Sequence, residues 1–435
     1  MGAPGGPPHT SCPAIRDSPC ERGHSPAYCH AMVLDTLSRQ REHTSLPDHP
    51  ITALAERDLR WRRLHDAMAA EGYDALLFAA ADYRGHKGSL RYLSDYNLGH
   101  RYGYAVMFAG EEPIVVLPQN LEADRRPAGG WVSDYRFPYN LGAGLAEILR
   151  SKGEALRVGI VGLGQVMKVE DYLAVTQGLP RSTFTDASAL FDRVRAIKSP
   201  AETRAVREGA YIVDRCFDRL LEIAKPGMTE QQVAAEMFRV GAELGGQDPL
   251  FLTMYAEERD GVTRATFGQP QDRVLGVNDV FTFSYEIVGP SGYWVELSRM
   301  VTFGEPAASV DHIGRAVALG MDAAAAALRP GTGFDAVQRA VIDAVESQGV
   351  RSEYWSGHGL GLDVLEEPWV GLDVVQDGSK AGAVTAVEPG MVLAIHPTLW
   401  DEDTRAMGYM ANTYVIDDDG AQALSRHPVT VHPIP

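Results

Sequence analysis

The sequence predicts an α+β protein in which an α/β domain precedes a larger domain made of two similar α+β halves. Three observations carry that expectation. Between residues 51 and 195, helical periodicity alternates with short apolar runs of strand length. At Ser199-Pro200-Ala201-Glu202, serine stands at an N-cap position, proline at the first helical position and glutamate three residues after the cap, which together start a long helix. Finally, Lys225-Pro226-Gly227 returns as Arg329-Pro330-Gly331, about 100 residues later, and each copy lies between helical segments.

The elements follow in order. Leu59, Leu64 and Met68 recur at helical spacing, and Gly72 ends that helix. Ala75-Leu76-Leu77-Phe78-Ala79 reads as a buried strand, as do Tyr104 to Phe108, Ile114 to Leu117 and Val158 to Val161. Gly162-Leu163-Gly164 is a strand-to-turn signal, because its glycine order does not fit G-x-G-x-x-G. Helical periodicity resumes through Ile212, Cys216 and Leu220. The expected boundaries are a disordered extension over 1–48, an α/β domain over 49–197 and the duplicated domain over 198–435. The extension is rich in Gly, Pro, Ser and His, and the spacing of Cys12, Cys20 and Cys29 does not suit zinc.

Charge and hydropathy exclude two classes of partner. Lys and Arg number 40 against 58 Asp and Glu, a net charge of −18, so no basic face for nucleic acid is expected. No apolar run reaches the ~18 residues of a membrane span. The single cysteine after residue 48 fits a reducing compartment, and a cytoplasmic location is expected.

Four stretches hold the chemistry. Phe281 to Arg299 is strand, Gly/Pro turn, strand; Tyr285 and Glu296 are symmetric about that turn and are expected to face each other, with Glu286 on the opposite face unless a bulge near Gly289 rotates it. Ser356-Gly357-His358-Gly359 puts a histidine between glycines, a thin backbone open to close approach. Val387 to Pro397 is a turn feeding an apolar strand that ends at His396, and Asn412 to Ile416 is a further strand.

Together these stretches resemble the creatinase / Xaa-Pro aminopeptidase / methionine aminopeptidase superfamily, the pita-bread fold. The resemblance covers about residues 51–430. It rests on Ile197-Lys198-Ser199-Pro200, the Gly292-Tyr293 and Ser298-Arg299 pairs around Glu296, Gly357-His358-Gly359-x-Gly361-Leu362-Asp363, and Glu388-Pro389-Gly390-Met391. It implies a pseudo-twofold pita-bread domain, an N-terminal creatinase-type domain and a homodimer. The family's peptidases bind two metal ions through two Asp, a His and two Glu. Matched one at a time, those positions hold Tyr285, Glu296, His358, His396 and Ala411. Two substrate-contacting histidines of the family match Phe267 and Leu365. Tyr, His and Ala cannot supply the bridging carboxylates of a dinuclear site. Creatinase, a metal-free member, resembles this chain at Glu296 and His358, although Gly261 to Pro270 holds none of its catalytic histidine.

The expected function is therefore a metal-independent hydrolase or lyase acting on a C–N bond of a small, amide- or amidine-like substrate, with no cofactor. His358 and His396 serve as acid and base, Glu296 orients one of them or binds a cationic group, and Tyr285 donates a proton or stabilises an oxyanion. Glu286, Arg299, Tyr293, Phe267 and Leu365 are expected to bind substrate. The alternatives are a mononuclear enzyme with Fe, Zn or Mn on Glu296, His358 and His396, a metal-dependent Xaa-Pro peptidase, and a non-catalytic binding module.

Overall fold

A computed structural model describes residues 49–118, 130–259, 262–376 and 379–435. The disorder expected for the extension over 1–48, with its three cysteines, falls outside the described residues.

The first helix, α1 (Leu54–Glu71), buries Arg60, Leu64 and Met68 and stops at Gly72, whose φ of 73° suits a residue without Cβ. A six-stranded sheet follows, with β1 (Ala75–Ala81), β2 (Tyr102–Phe108), β3 (Ile114–Val116), β4 (Asp134–Arg136), β5 (Arg157–Val161) and β6 (Thr183–Asp186) in the order β4-β3-β2-β1-β5-β6. Strands β1, β5 and β6 run parallel, while β2 is antiparallel to β1. The continuous apolar run of β1 arises because both faces are covered. Leu76 and Phe78 share a core with Leu64 and Met68 of α1, and Leu77 and Ala79 share another with α3 (Leu141–Arg150), which is introduced after the short α2 (Gly88–Ser94). Helices α4 (Val169–Gly178) and α5 (Ser188–Ala196) complete this layer.

The predicted capping box opens α6 (Pro200–Ile223): Ser199 Oγ accepts from the Glu202 amide and Glu202 Oε2 from the Ser199 amide. The Pro-Gly turn leads to α7 (Glu230–Glu243), and the second copy joins α8 (Ala308–Ala327) to α9 (Phe334–Glu346). The two turns are anchored alike. The Gly227 amide donates to Leu275 O and the Leu275 amide to Met228 O; Gly331 donates to Val387 O and Val387 to Thr332 O. Equal bonding at equivalent places is what a duplicated half predicts.

Between these helix pairs run β7 (Gln247–Arg259), β8 (Val262–Gly268), β9 (Val280–Val288), β10 (Trp294–Phe303), β11 (Arg351–Ser352), β12 (Trp355–Gly359), β13 (Glu366–Gly371), β14 (Val375–Gln376), β15 (Ser379–Lys380), β16 (Val392–Ile395), β17 (Thr398–Trp400), β18 (Met407–Tyr409), β19 (Ala411–Asp417), β20 (Gly420–Ala423) and β21 (Val431–Ile434). The main sheet has the order β13-β12-β16-β19-β10-β9-β7-β8, so β10 and β19 bring the two halves together at its centre.

Buried ion pairs line the junction of the two sheets' domains, and those of Arg60 with Glu202 and of Arg195 with Asp363 cross it. Arg60 meets Glu56 at 2.9 Å and Glu202 at 3.5 Å; Arg195 meets Asp363 at 2.6 Å; Lys198 meets Glu366 at 3.0 Å. Burial works to raise the Glu366 pKa, but Arg195 and Lys198 outweigh it and hold the carboxyl below its usual range. Among the described residues no helix is long and apolar enough to cross a membrane.

Candidate active site

The site is built on the β9–β10 hairpin. Val288 pairs with Trp294, so the connection is the five residues Gly289 to Tyr293, and Glu286 is the residue opposite Glu296. An odd connection displaces the pairing by one residue from the symmetric register, and one residue exchanges the faces. Glu296, Glu286 and Ser284 therefore share the open face, while Tyr285 turns toward the helices.

There Tyr285 is fully buried against Phe238 and Phe251, with its hydroxyl beside the Cys216 thiol, and burial pushes its pKa far up. It does not reach the site, which corrects its expected role as proton donor. Arg299 is also corrected. All of its N–H groups are spent on the carbonyls of Ser298, Ala411, His427 and Pro428 and on Asn412 Oδ1, at 2.6 to 2.9 Å, and burial pushes its pKa down to about 10. It ties β10 to β19 and binds neither Glu296 nor substrate. Tyr293 lies at the domain junction, donating to Glu202 Oε1 at 2.6 Å and accepting from Arg60 at 2.8 Å. Phe267 is exposed on the edge strand β8. Leu365 lines a cavity between the domains, whereas Glu286 does stand on the same face as Glu296.

Three of the expected residues converge. One ligand atom from each of Glu296, His358 and His396 lies within 4.8 Å of the others, and all three side chains are buried. Glu296 Oε1 accepts from Ser284 Oγ at 3.0 Å and from the Tyr409 hydroxyl at 2.9 Å, leaving Oε2 at 3.7 Å from His358 Nε2. His358 Nδ1 lies 3.0 Å from Gly359 O, and a carbonyl only accepts, so Nδ1 carries the proton and Nε2 presents a lone pair inward. His396 follows β16, its amide donating to Ser356 O at 2.8 Å. Its ring lies 5.1 Å from His358, 5.1 Å from Trp355 and 5.5 Å from Tyr409, and Trp369 closes the group 5.6 Å from His358.

The glycines around His358 serve the protein's own strands. A Cβ on Gly357 would lie 2.3 Å from Ala394 O, and one on Gly359 2.3 Å from Glu367 O, so the approaching backbones are β16 and the start of β13. This corrects the reading that the thin backbone admits another molecule.

Electrostatically the site is unusual. Burial holds both imidazoles near a pKa of about 4, with His396 adding to the depression at His358, so both are neutral at pH 7. Burial raises both carboxyls, Glu286 well above the usual range because Glu296 lies beside it and Arg84 only partly opposes. Two neutral imidazoles, with a carboxyl whose charge is disfavoured by burial, form a donor set that one divalent cation would satisfy. Tyr285 faces away from the site and Ala411 carries no donor atom, so neither of these matched positions supplies a ligand to a second ion.

Sequence reading missed Trp355, Trp369, Tyr409, Ser284 and Arg84. The two tryptophans lie within the histidine-bearing segment and its partner strand, and nearness to His358 was the available signal. Nothing local marks Tyr409.

The pattern of metallopeptidase family M24 matches residues 204–419, and that of the creatinase/prolidase N-terminal domain matches residues 60–197. A probable dipeptidase, PepE of Mycobacterium tuberculosis, is 26% identical over 341 residues, 74% of this chain and 83% of the relative. The ectoine hydrolase of Halomonas elongata is 25% identical over 284 residues, 62% of this chain and 69% of the relative. Among solved structures, the dipeptidase PepE of Mycobacterium ulcerans has a TM-score of 0.71 at 23% identity, covering 88% of this chain and 99% of that one. The prolidase of Pyrococcus horikoshii OT3 has a TM-score of 0.69 at 18% identity, covering 86% and 99%. These two likenesses speak for the fold. The expectation of a cofactor-free enzyme is overturned: the family is one of metallopeptidases, and Glu296, His358 and His396 form a group that could hold a metal ion. With both halves of the chain matched in order, the protein belongs to metallopeptidase family M24, a creatinase-type N-terminal domain ahead of a pita-bread domain, and is a hydrolase acting on C–N bonds.

Proposed function

We propose that this chain cleaves an amide- or amidine-type C–N bond of a small substrate with one divalent metal ion held by Glu296, His358 and His396. The observation that carries the reading is their convergence within 4.8 Å on one buried face. Zn, Mn or Fe(II) suits two imidazoles and a carboxylate. When bound, the ion supplies Lewis-acid polarisation of the scissile group.

The chain's own residues do the rest. Gly359 O orients His358 through Nδ1, and Ser284 and Tyr409 hold Glu296 through Oε1. Glu286, whose carboxyl burial and the neighbouring Glu296 hold well above the usual range, can give a proton to the departing nitrogen as water adds to the carbon of the C–N bond. Trp355 and Trp369 wall the site and offer flat faces to a planar amide. Relatives named for a dipeptide and for ectoine fit a small substrate. The reading includes a homodimer, as the family resemblance implies, and a cytoplasmic location, as the single cysteine after residue 48 suits; light scattering under assay conditions tests the dimer.

The test is metal content of protein purified without chelator, with hydrolysis of dipeptides and of ectoine assayed before and after chelation. About one metal ion per chain, activity lost on chelation and regained on adding Mn or Zn, is the expected result. Full activity in metal-free protein would overturn it.

A further inference from the structure

The loop after β1, from Asp82 to Lys87, reaches from the N-terminal domain onto the catalytic sheet, and the C-terminal domain grips it at several points. The Val364 amide donates to Arg84 O at 3.1 Å. Asp363 Oδ1 accepts from the Lys87 and Gly88 amides at 3.1 and 2.7 Å, and the Lys87 ammonium meets Asp248. A loop clamped in this way holds its side chains in fixed places.

Arg84 is carried into the joint. Its Nη2 donates to Pro249 O at 3.0 Å, and the next residue, Leu250, pairs with Glu286 across β7 and β9. The sheet order β12-β16-β19-β10-β9-β7 therefore sets His358, His396, Glu296, Glu286 and, at β7, Arg84 in a row. The guanidinium is near enough for its charge to oppose the rise of the Glu286 carboxyl.

The neighbouring cations Arg60, Lys87, Arg195 and Lys198 each have a carboxylate partner. Arg84 has no ion pair among the described residues. Its Nε is enclosed without an acceptor, while Nη1, with two N–H groups, makes no hydrogen bond and is not enclosed. A partly buried guanidinium with open N–H groups is matched to an anion, and a carboxylate suits its planar fork.

We propose that Arg84 is a specificity-determining residue, supplied by the N-terminal domain, that binds a carboxylate on the nitrogen side of the scissile C–N bond. The inference rests on the function proposed above. There Glu286 gives a proton to the departing nitrogen, and Arg84 stands beyond Glu286 in the row, so the anion it holds leaves with the amine product. The substrate class is an amide whose amine half is an amino acid with a free carboxylate.

The test uses full-length protein purified without chelator. Hydrolysis of alanyl-alanine is compared with that of alanyl-alaninamide, which lacks the charge, and calorimetry follows binding of the amine products alanine and alaninamide. The acid is expected to be preferred at least tenfold, through KM, and alanine to bind more tightly than alaninamide. Arg84→Met raises KM for the acid about tenfold and leaves the amide unchanged; Arg84→Lys recovers part of the preference. A merely structural Arg84 would weaken acid and amide alike, and that result, or equal use of both by wild type, overturns the proposal while the proposed hydrolase stands. Selective alanine binding lost in Arg84→Met, with neither compound hydrolysed, supports the carboxylate site and counts against the catalytic reading instead.

Discussion

Two clusters of buried charge lie in this protein, and they obey opposite rules. At the domain junction, each of Arg60, Arg195 and Lys198 has a carboxylate within 2.6 to 3.0 Å. At the catalytic face, Glu286 and Glu296 stand as cross-strand partners beside two neutral imidazoles, with only Arg84 bearing on Glu286. Buried charges that are fully paired hold a structure together. Carboxyls crowded against each other in a dry pocket raise the energy of the free protein, and a bound cation or substrate relieves that strain. Pairing separates the architecture from the chemistry here.

The junction gives the largest expected effect. Glu366→Gln strands Lys198, whose side chain is 1% exposed, and is expected to cost about 3–5 kcal/mol of unfolding free energy. Because Glu366 titrates below the ordinary value of 4.5, its contribution is complete above that pH and is lost as pH falls through the lowered pKa. Denaturant unfolding of wild type and variant should thus show a constant difference from about pH 8 to pH 6 and a shrinking one below about 4.5. Metal content should not change. A variant as stable as wild type would dissolve the distinction between the clusters.

Glu296→Gln tests the other side. Loss of a metal ligand is expected to lower kcat/KM by at least ~100-fold and to empty the metal site. Stability is expected to hold or rise in metal-free protein, since a carboxyl that burial makes unfavourable is gone. Metal analysis and thermal unfolding of the same sample check both. Retained metal, or a stability loss like that of Glu366→Gln, would place Glu296 with the junction.

What could be read from the sequence was local. The capping box at Ser199, the repeated Pro-Gly turns and the hairpin from Phe281 to Arg299 each follow from a few neighbouring residues. His358, Glu296 and His396 came from the spacing of the family's motifs. Register was harder, because an even and an odd turn leave the same hydrophobic runs when both faces of the strand are buried, and β9 and β10 are buried almost throughout. Tyr409 and Trp369 come to the site from strands whose neighbours are fixed only by the sheet order. Arg299 looked functional because it follows Glu296 closely in sequence, yet the two residues point to opposite faces of β10.

The smallest effects decide that register directly. Tyr285 and Tyr409 are both buried tyrosines, but Tyr285 faces Phe238 and Phe251 while Tyr409 donates to Glu296 Oε1. Tyr409→Phe removes a hydrogen bond that orients a metal ligand and is expected to lower kcat/KM about tenfold, the lower end for such a support. Its effect should fall on metal affinity as well as on rate. Tyr285→Phe removes a hydroxyl from the apolar side, so activity should stay within about twofold and stability should move by no more than about 1 kcal/mol. Steady-state kinetics of the two variants, with metal titration, compare the two faces of one sheet. If Tyr285→Phe proved the more damaging to catalysis, Glu286 and Tyr285 would have to exchange faces, and the five-residue turn from Gly289 to Tyr293 would be wrong by one residue.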